Sequence, residues 1–106
     1  MPFLPMPMFF FQFEAQPGET HPDREQISGA FINCWILRET QDQAEAVARA
    51  CIADEHWRVL RIEQATLMTR EGQGESPDGM RYFEQAEIDR EVLVFHHWPV
   101  EVPNDK

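Results

Sequence analysis

Lysine is almost absent from this chain of 106 residues, in which the single lysine is Lys106. A P-loop of the GxxxxGK[ST] type and a Schiff-base lysine both need a lysine inside the domain, so the sequence excludes both. Serine is also scarce, and neither Ser28 nor Ser76 lies in the GxSxG motif of an α/β-hydrolase. The HExxH zinc motif and the GxGxxG spacing of dinucleotide-binding loops are absent too. The commonest motif-bearing enzyme classes are therefore excluded.

Positive charge is in short supply, because 19 acidic residues stand against 9 basic ones and give a formal net charge of −10 at pH 7. Phosphate contacts need clustered Lys and Arg, so we expect no nucleic-acid partner. A protein partner with a basic surface would suit this charge better. Acidic side chains also keep a protein soluble through self-repulsion, without any partner.

Long apolar runs are missing as well, since no segment approaches the ~20 apolar residues that span a bilayer. The uncharged stretch before Glu14 contains Pro2, Pro5 and Pro7 but no Lys or Arg and no small-residue cleavage site, so it does not read as a signal peptide. We expect no membrane partner. Prolines favour extended backbone, which predicts an arm over residues 1–7, a single α+β domain over residues 8–100 and a polar tail over residues 101–106.

The two cysteines, Cys34 and Cys51, lie in apolar surroundings and form neither a CxxC pair nor a disulfide framework. Buried reduced thiols are expected, which fits a cytoplasmic location. No spacing of His, Cys, Asp and Glu matches a metal site, so we predict no metal and no cofactor.

Alternating and continuous apolar patterns predict the strands. MFFFQFEA over Met8–Ala15 is expected to be an edge strand, and the run from Ala30 to Leu37 is expected to be a central strand. Further strands are predicted at WRVLRIEQATLMTR and at EVLVFHHW. Because side chains alternate along a strand, the first strand sorts into two faces, as does the central one. The predicted face sets are Phe9, Phe11, Phe13 against Phe10, Gln12, Glu14, and Ala30, Ile32, Cys34, Ile36 against Phe31, Asn33, Trp35, Leu37.

Two helices are predicted between these strands. Thr40 and Gln43 match a capping box, and an apolar stripe follows at helical spacing through Ala44, Val47, Ala48, Cys51 and Ile52. The second helix is expected over Asp78–Arg90, with Ser76 as N-cap and Pro77 at the first position. It should bury Met80, Phe83 and Ala86.

The element order is therefore β-β-α-β-α-β. Strand–helix–strand units with right-handed crossovers place both helices on one face. We predict an α+β fold, a two-layer sandwich in the manner of ferredoxin-like folds, with a four-stranded mixed sheet.

Two helices on one face would leave the other face of the sheet exposed. The central strand would present either Phe31, Trp35 and Leu37 or the opposite set there, and an exposed apolar face of that size favours association. We therefore expect an isologous homodimer in which a second copy covers this face. The Pro-rich arm would reach across to the partner.

His96 and His97, at the end of the last strand, are the sharpest local feature. Adjacent strand residues point to opposite faces, so only one imidazole would face the open side of the sheet. No catalytic residue is assigned; the candidates for acid–base chemistry are His96, His97 and Asn33. The candidate ligand-binding residues are Trp35, Asn33 and Glu63. A purely structural role in the core or an interface is the competing interpretation for each of these histidine, tryptophan and asparagine side chains.

Three functions remain open after these exclusions. The first, which we prefer from sequence alone, is a non-enzymatic, homodimeric interaction or regulatory module. The second is a small cofactor-free enzyme with a pocket on the sheet face, in which a histidine acts as acid or base. The third is an inhibitor or immunity-type protein that covers a basic partner, which requires the carboxylates of Asp42, Glu45, Asp54 and Glu55 to converge with those between Glu84 and Glu91.

Overall fold

The computed structural model describes residues 6–73 and 77–100 and confirms an α+β fold with the predicted element order. The strands and helices lie along the chain as β1 (Met8–Pro17), β2 (Ile27–Leu37), α1 (Gln41–Asp54), β3 (Trp57–Met68), α2 (Pro77–Asp89) and β4 (Glu91–Pro99), with a short 3₁₀ helix at Glu71–Gln73 before α2.

The strands form one four-stranded sheet in the order β3-β1-β2-β4. Every neighbouring pair is antiparallel, so the prediction of a mixed sheet is wrong. The prediction that β1 is an edge strand is also wrong, because β1 lies between β3 and β2. β2 is an interior strand, as expected. The helical connection from β2 to β3 therefore passes over β1, which separates the two parallel strands that it joins.

Alternation along β1 and β2 builds the two faces of the sheet, and the predicted face sets are confirmed. On one face, Phe11 and Phe13 are fully buried and lie opposite Cys34 and Ile32 of the neighbouring strand. On the other face, Phe10 lies opposite Trp35. Since β1 is interior, its aromatic side chains have neighbours on both sides, which explains why its consecutive phenylalanines are buried.

Helix α1 packs on the first of these faces. It begins after Thr40, whose side-chain oxygen accepts a hydrogen bond from the backbone N–H of Gln43 at 3.1 Å. The predicted stripe is buried through Ala44, Ala48 and Ile52. Small residues at the first two positions allow the helix axis to approach the phenylalanines of β1 closely.

Helix α2 packs on the opposite face of the sheet, so the prediction of two helices on one face is wrong, and with it the strict two-layer, ferredoxin-like arrangement. Phe83 and Ala86 of α2 are buried in a second core cluster with Met8, Phe10 and Trp35. The chain leaves β3 at one edge of the sheet and enters β4 at the other edge, so α2 must cross the sheet on one face. It crosses on the side where those large apolar side chains lack another cover.

This placement removes most of the premise from which the homodimer was expected. On the second face, α2 of the same chain covers Met8, Phe10 and Trp35, and Phe31 stays 39% exposed. A homodimer stays a proposal that needs a different surface.

Some predictions fall on residues that the structure does not describe: most of the arm over residues 1–7, the N-cap at Ser76, and the tail over residues 101–106. Within the described part of the chain, neither helix has the length and apolar character needed to cross a membrane.

Candidate functional site

Helix α2 leaves part of its sheet face uncovered, where Phe31 and His96 are exposed, and a cleft of about 320 Å³ lies where the helix begins. The floor of the cleft is formed by β1, β2 and β4, and its wall by Met68, by Gly72 of the 3₁₀ helix and by the first turns of α2. Its lining combines aromatic rings with a few polar groups: Phe10, Asn33, Trp35, Met68, Gly72, Asp78, Gly79, Tyr82 and His96. Apolar walls with few polar groups are typical of small-molecule sites.

Asn33 supplies an oriented amide to the floor. It lies directly opposite Gln12 in the β1–β2 ladder, and Gln12 Nε2 donates a hydrogen bond to Asn33 Oδ1 at 3.0 Å. This bond fixes the amide of Asn33, because it occupies the oxygen. Within residues 6–73 and 77–100 the Asn33 Nδ2 group has no hydrogen-bond partner, so it can donate to a bound molecule.

Trp35 forms the aromatic centre of the cleft. Its ring packs edge-on against Phe10 at 5.0 Å between centroids and lies 5.1 Å from the ring of Tyr82. Only 5% of Trp35 is exposed, and its Nε1 is a buried donor that has no partner in the described structure. A buried N–H without an acceptor costs about 1–3 kcal/mol, so this donor is a feature that the chain itself leaves uncompensated.

His96 and His97 lie on opposite faces of the sheet, as strand alternation requires. His96 lies opposite Phe31 on the α2 side, is exposed, and lines the cleft. His97 lies opposite Ala30 on the α1 side and is outside the lining. The structure thus identifies His96 as the imidazole on the α2 side of the sheet, which is called the half-open face because α2 leaves part of it uncovered.

Glu63 is not part of this arrangement. Its carboxylate accepts a hydrogen bond from Arg61 Nε at 2.7 Å, and Arg61 also donates to Glu14 at 2.8 Å. The cleft therefore brings together Asn33, Trp35 and His96 from the predicted set, and Glu63 lies in a surface ion-pair cluster instead. Whether the three bind a ligand stays a prediction.

An aromatic pair continues the half-open face beyond the cleft. The rings of Phe31 and Trp98 lie 5.2 Å apart, and Phe31 is 39% exposed. Trp98 lies close over Gly29: a Cβ atom added at that glycine would be 2.6 Å from its ring. Gly29 therefore allows the indole of Trp98 to approach the backbone of β2 closely, next to Phe31.

Sequence reasoning missed Tyr82 and Asp78, which α2 brings to the cleft. Tyr82 was visible as the only tyrosine of the chain, but its partner Trp35 depends on the face that α2 occupies. Asp78 forms an ion pair with Arg81 at 3.1 Å, and both side chains are largely exposed. Hydrophobic periodicity in the sequence does not predict that either residue lies next to β2.

Another surface depression lacks the aromatic rings that line the cleft. This depression, of about 480 Å³, is lined by Met6, Arg38, Glu39, Gln43, Ala46, Val47 and Arg90. It contains no aromatic ring, and most of its lining side chains are exposed. Among the residues whose placement is described, no group of three or more His, Cys, Asp or Glu side chains could hold a metal ion.

Both cysteines are free, and neither lines the cleft. Burial, together with the nearby Cys51, raises the pKa of the Cys34 thiol to about 12. Burial and a hydrogen bond to Glu91 raise the pKa of Cys51 to about 11. A high pKa leaves little thiolate, so neither cysteine is activated as a nucleophile. The cytoplasmic location stays a prediction.

Comparison with known proteins adds no family to this description. No protein-family model matches the chain, and searches of curated proteins and of solved structures gave no significant match.

Proposed function

We propose that the protein is a binding module for a small planar molecule, which it holds in the cleft between the start of α2 and the sheet. The observation that carries this proposal is the convergence of the Trp35 and Tyr82 rings with the Asn33 amide and the His96 imidazole in one cavity. The half-buried ring of Tyr82 and the small exposed part of Trp35 provide an apolar surface for a flat molecule, and the two polar groups provide direction.

The polar groups define what the molecule needs. Asn33 Nδ2 can only donate, so the molecule should carry an acceptor, such as a ring nitrogen or a carbonyl oxygen, on its edge. The net charge of −10 and the carboxylate of Asp78 in the lining disfavour an anion. A neutral or cationic heteroaromatic compound therefore fits best.

Binding alone is proposed, without a reaction. Besides His96, the described lining contains two further groups capable of acid–base chemistry: Asp78, which is engaged with Arg81, and the phenol of Tyr82. The enzyme interpretation thus gains a pocket, but among the described residues no hydrogen bond joins either group to His96 as a working acid–base pair.

The test compares quinoline with naphthalene, because the two have the same shape and only quinoline has an acceptor. We expect quinoline to shift the NMR signals of the Asn33 side-chain amide and the Trp35 indole N–H, and to bind more tightly than naphthalene. Asn33→Ala should weaken quinoline binding about fivefold, which corresponds to the loss of one hydrogen bond of about 1 kcal/mol.

His96→Ala and His97→Ala form a matched pair, since both imidazoles are exposed and adjacent but only His96 lines the cleft. His96→Ala should weaken binding, and His97→Ala should leave it unchanged. Equal binding of naphthalene and quinoline, equal effects of the two histidine variants, or shifts that map outside the cleft would each refute the proposal.

A homodimeric interaction module is the second candidate function, and one observation favours it. β4 forms an edge of the sheet, and no element of the described chain pairs with its outer side.

The third function, an inhibitor or immunity-type protein that covers a basic partner, finds no such support. The acidic residues of α1 and those of α2 lie on opposite faces of the sheet, and Glu45, Glu84, Glu87 and Glu91 are engaged in ion pairs with arginines.

A further inference from the structure

The outer edge of β4 has a defined set of unpaired backbone groups. The N–H of Leu37 donates to the carbonyl of Arg90 at 2.7 Å, which places these two residues at a hydrogen-bonded position of the antiparallel ladder, although the N–H of Arg90 donates to Ala86 instead. Such pairs alternate along the strands, so Val92, Val94 and His96 direct their N–H and C=O groups toward β2. The corresponding groups of the intervening residues point outward: Glu91, Leu93, Phe95 and His97.

The two edges of the sheet differ in their protection. β3 carries register irregularities at Gln12/Phe13 and Glu14/Ala15 of its pairing with β1, and it exposes Arg58 and Arg61. Bulges and charges of this kind discourage another strand from pairing. The pairing of β4 with β2 runs without irregularity from Ile36–Glu91 to Gly29–Trp98. β4 is therefore the regular edge and the one open to extension.

We propose that β4 pairs antiparallel with β4 of a second copy of this chain, with Val94 on the twofold axis. In this register Glu91 faces His97 of the partner subunit, and Leu93 faces Phe95 of the partner subunit. All of the outward backbone groups from Glu91 to His97 then gain ladder partners. If the axis lay at Leu93, His97 would face the end of α2 of the partner subunit. If it lay at Phe95, Glu91 would face Pro99 of the partner subunit, which has no N–H.

The side chains of β4 are self-complementary in the same register. Leu93 and Phe95 pack against the buried residues between α1 and the sheet, and in the dimer they extend that apolar face from one subunit to the other. At each end the imidazole of His97 of the partner subunit lies next to the carboxylate of Glu91, because both are on the same face of β4, and that carboxylate also accepts hydrogen bonds from Arg38 and Cys51 of its own chain. The pattern matches its own antiparallel copy, which is what an isologous interface requires. The result is a continuous eight-stranded sheet, and the interface does not depend on ligand binding in the cleft.

Hydrogen exchange on the unmodified chain tests which amides form the interface. In the monomer the N–H groups of Leu93, Phe95 and His97 face solvent, whereas those of Val92, Val94 and His96 are bonded to β2. As the protein concentration rises from about 1 µM to about 1 mM, a range that covers weak to moderate affinities, the first set should become protected and the second should change little. Sedimentation equilibrium should show dimer over the same range.

Cross-linking tests the register. Val94 faces its own copy across the axis, in a non-hydrogen-bonded pair whose Cα atoms approach to about 4.5 Å, which suits a disulfide. Val94→Cys should therefore give a covalent dimer on mild oxidation. Val92→Cys is the matched control, since it would face His96 of the partner subunit, and it should cross-link at least tenfold more slowly.

Three results would overturn the proposal. They are a monomer at every concentration, a dimer in which the amides of Leu93, Phe95 and His97 still exchange freely, and equal cross-linking of the two cysteine variants. Failure of quinoline to bind would overturn the proposed function and leave this interface untouched.

Discussion

Cys34 should make the protein lose stability as the pH rises above about 9. Its side chain is fully buried between the sheet and α1, and burial raises the pKa of the thiol from 9.0 to about 12. Between these two values the unfolded chain releases a proton that the folded chain keeps. The stabilising contribution is therefore fully present below pH 9 and is lost as the pH approaches 12.

The magnitude follows from the difference between the two pKa values. Each pH unit between them favours the unfolded state by about 1–2 kcal/mol, so the loss attributable to Cys34 is about 1 kcal/mol at pH 10 and about 3 kcal/mol at pH 11. The total stability of a domain of this size is about 5–15 kcal/mol, so the effect is large enough to measure.

Urea unfolding of the wild type and of Cys34→Ala, followed from about pH 8 to about pH 11, isolates this effect. The alanine variant is less stable near neutrality because it leaves a cavity, but it has no thiol at this position to ionise. The two stability curves should therefore converge as the pH rises, while the contribution of Cys51 is common to both. Curves that remain parallel would refute the reasoning.

Three further predictions concern local geometry. Gly29→Ala should cost about 1–3 kcal/mol and shift the tryptophan emission, because the new Cβ would lie 2.6 Å from the ring of Trp98; unchanged thermal unfolding and emission would contradict this. Thr40→Ala should cost about 1 kcal/mol through loss of the hydrogen bond to the Gln43 amide, whereas Thr40→Ser should retain it, as measured by urea unfolding. Arg90 has φ 74° at the end of α2, so Arg90→Gly should be about 1 kcal/mol more stable than Arg90→Ala in the same assay, and equal stabilities would show that the backbone is not strained there.

The sequence determined which side chains share a face and where α1 begins. Alternation in β1 and β2 separates Phe11 from Phe10 and Cys34 from Trp35 because the side-chain period of a strand is fixed by backbone geometry. The cap at Thr40 depends on a bond to a residue three positions away. These features are local, so the order of residues is sufficient to predict them.

Tertiary structure alone decided which strands are neighbours and which face each helix covers. β1 reads equally well as an edge or as an interior strand, because pairing with β3 depends on contacts between residues far apart in sequence. The apolar positions of α2 show that one side of the helix is buried, but the same positions would serve on either face of the sheet. The helix packs on the face of Phe10 and Trp35, where large apolar rings would otherwise meet water.

That choice of face decided the candidate site. Asn33 and Trp35 share a face by alternation within β2, which the sequence could predict, whereas the register that pairs His96 with Phe31 was needed to place His96 on the same face. The cleft needs the wall that α2 and Tyr82 provide, and with both helices on one face this wall would not exist. The strand period thus places Asn33, the pairing of β4 with β2 adds His96, and the long-range packing of α2 turns an open sheet surface into a cavity.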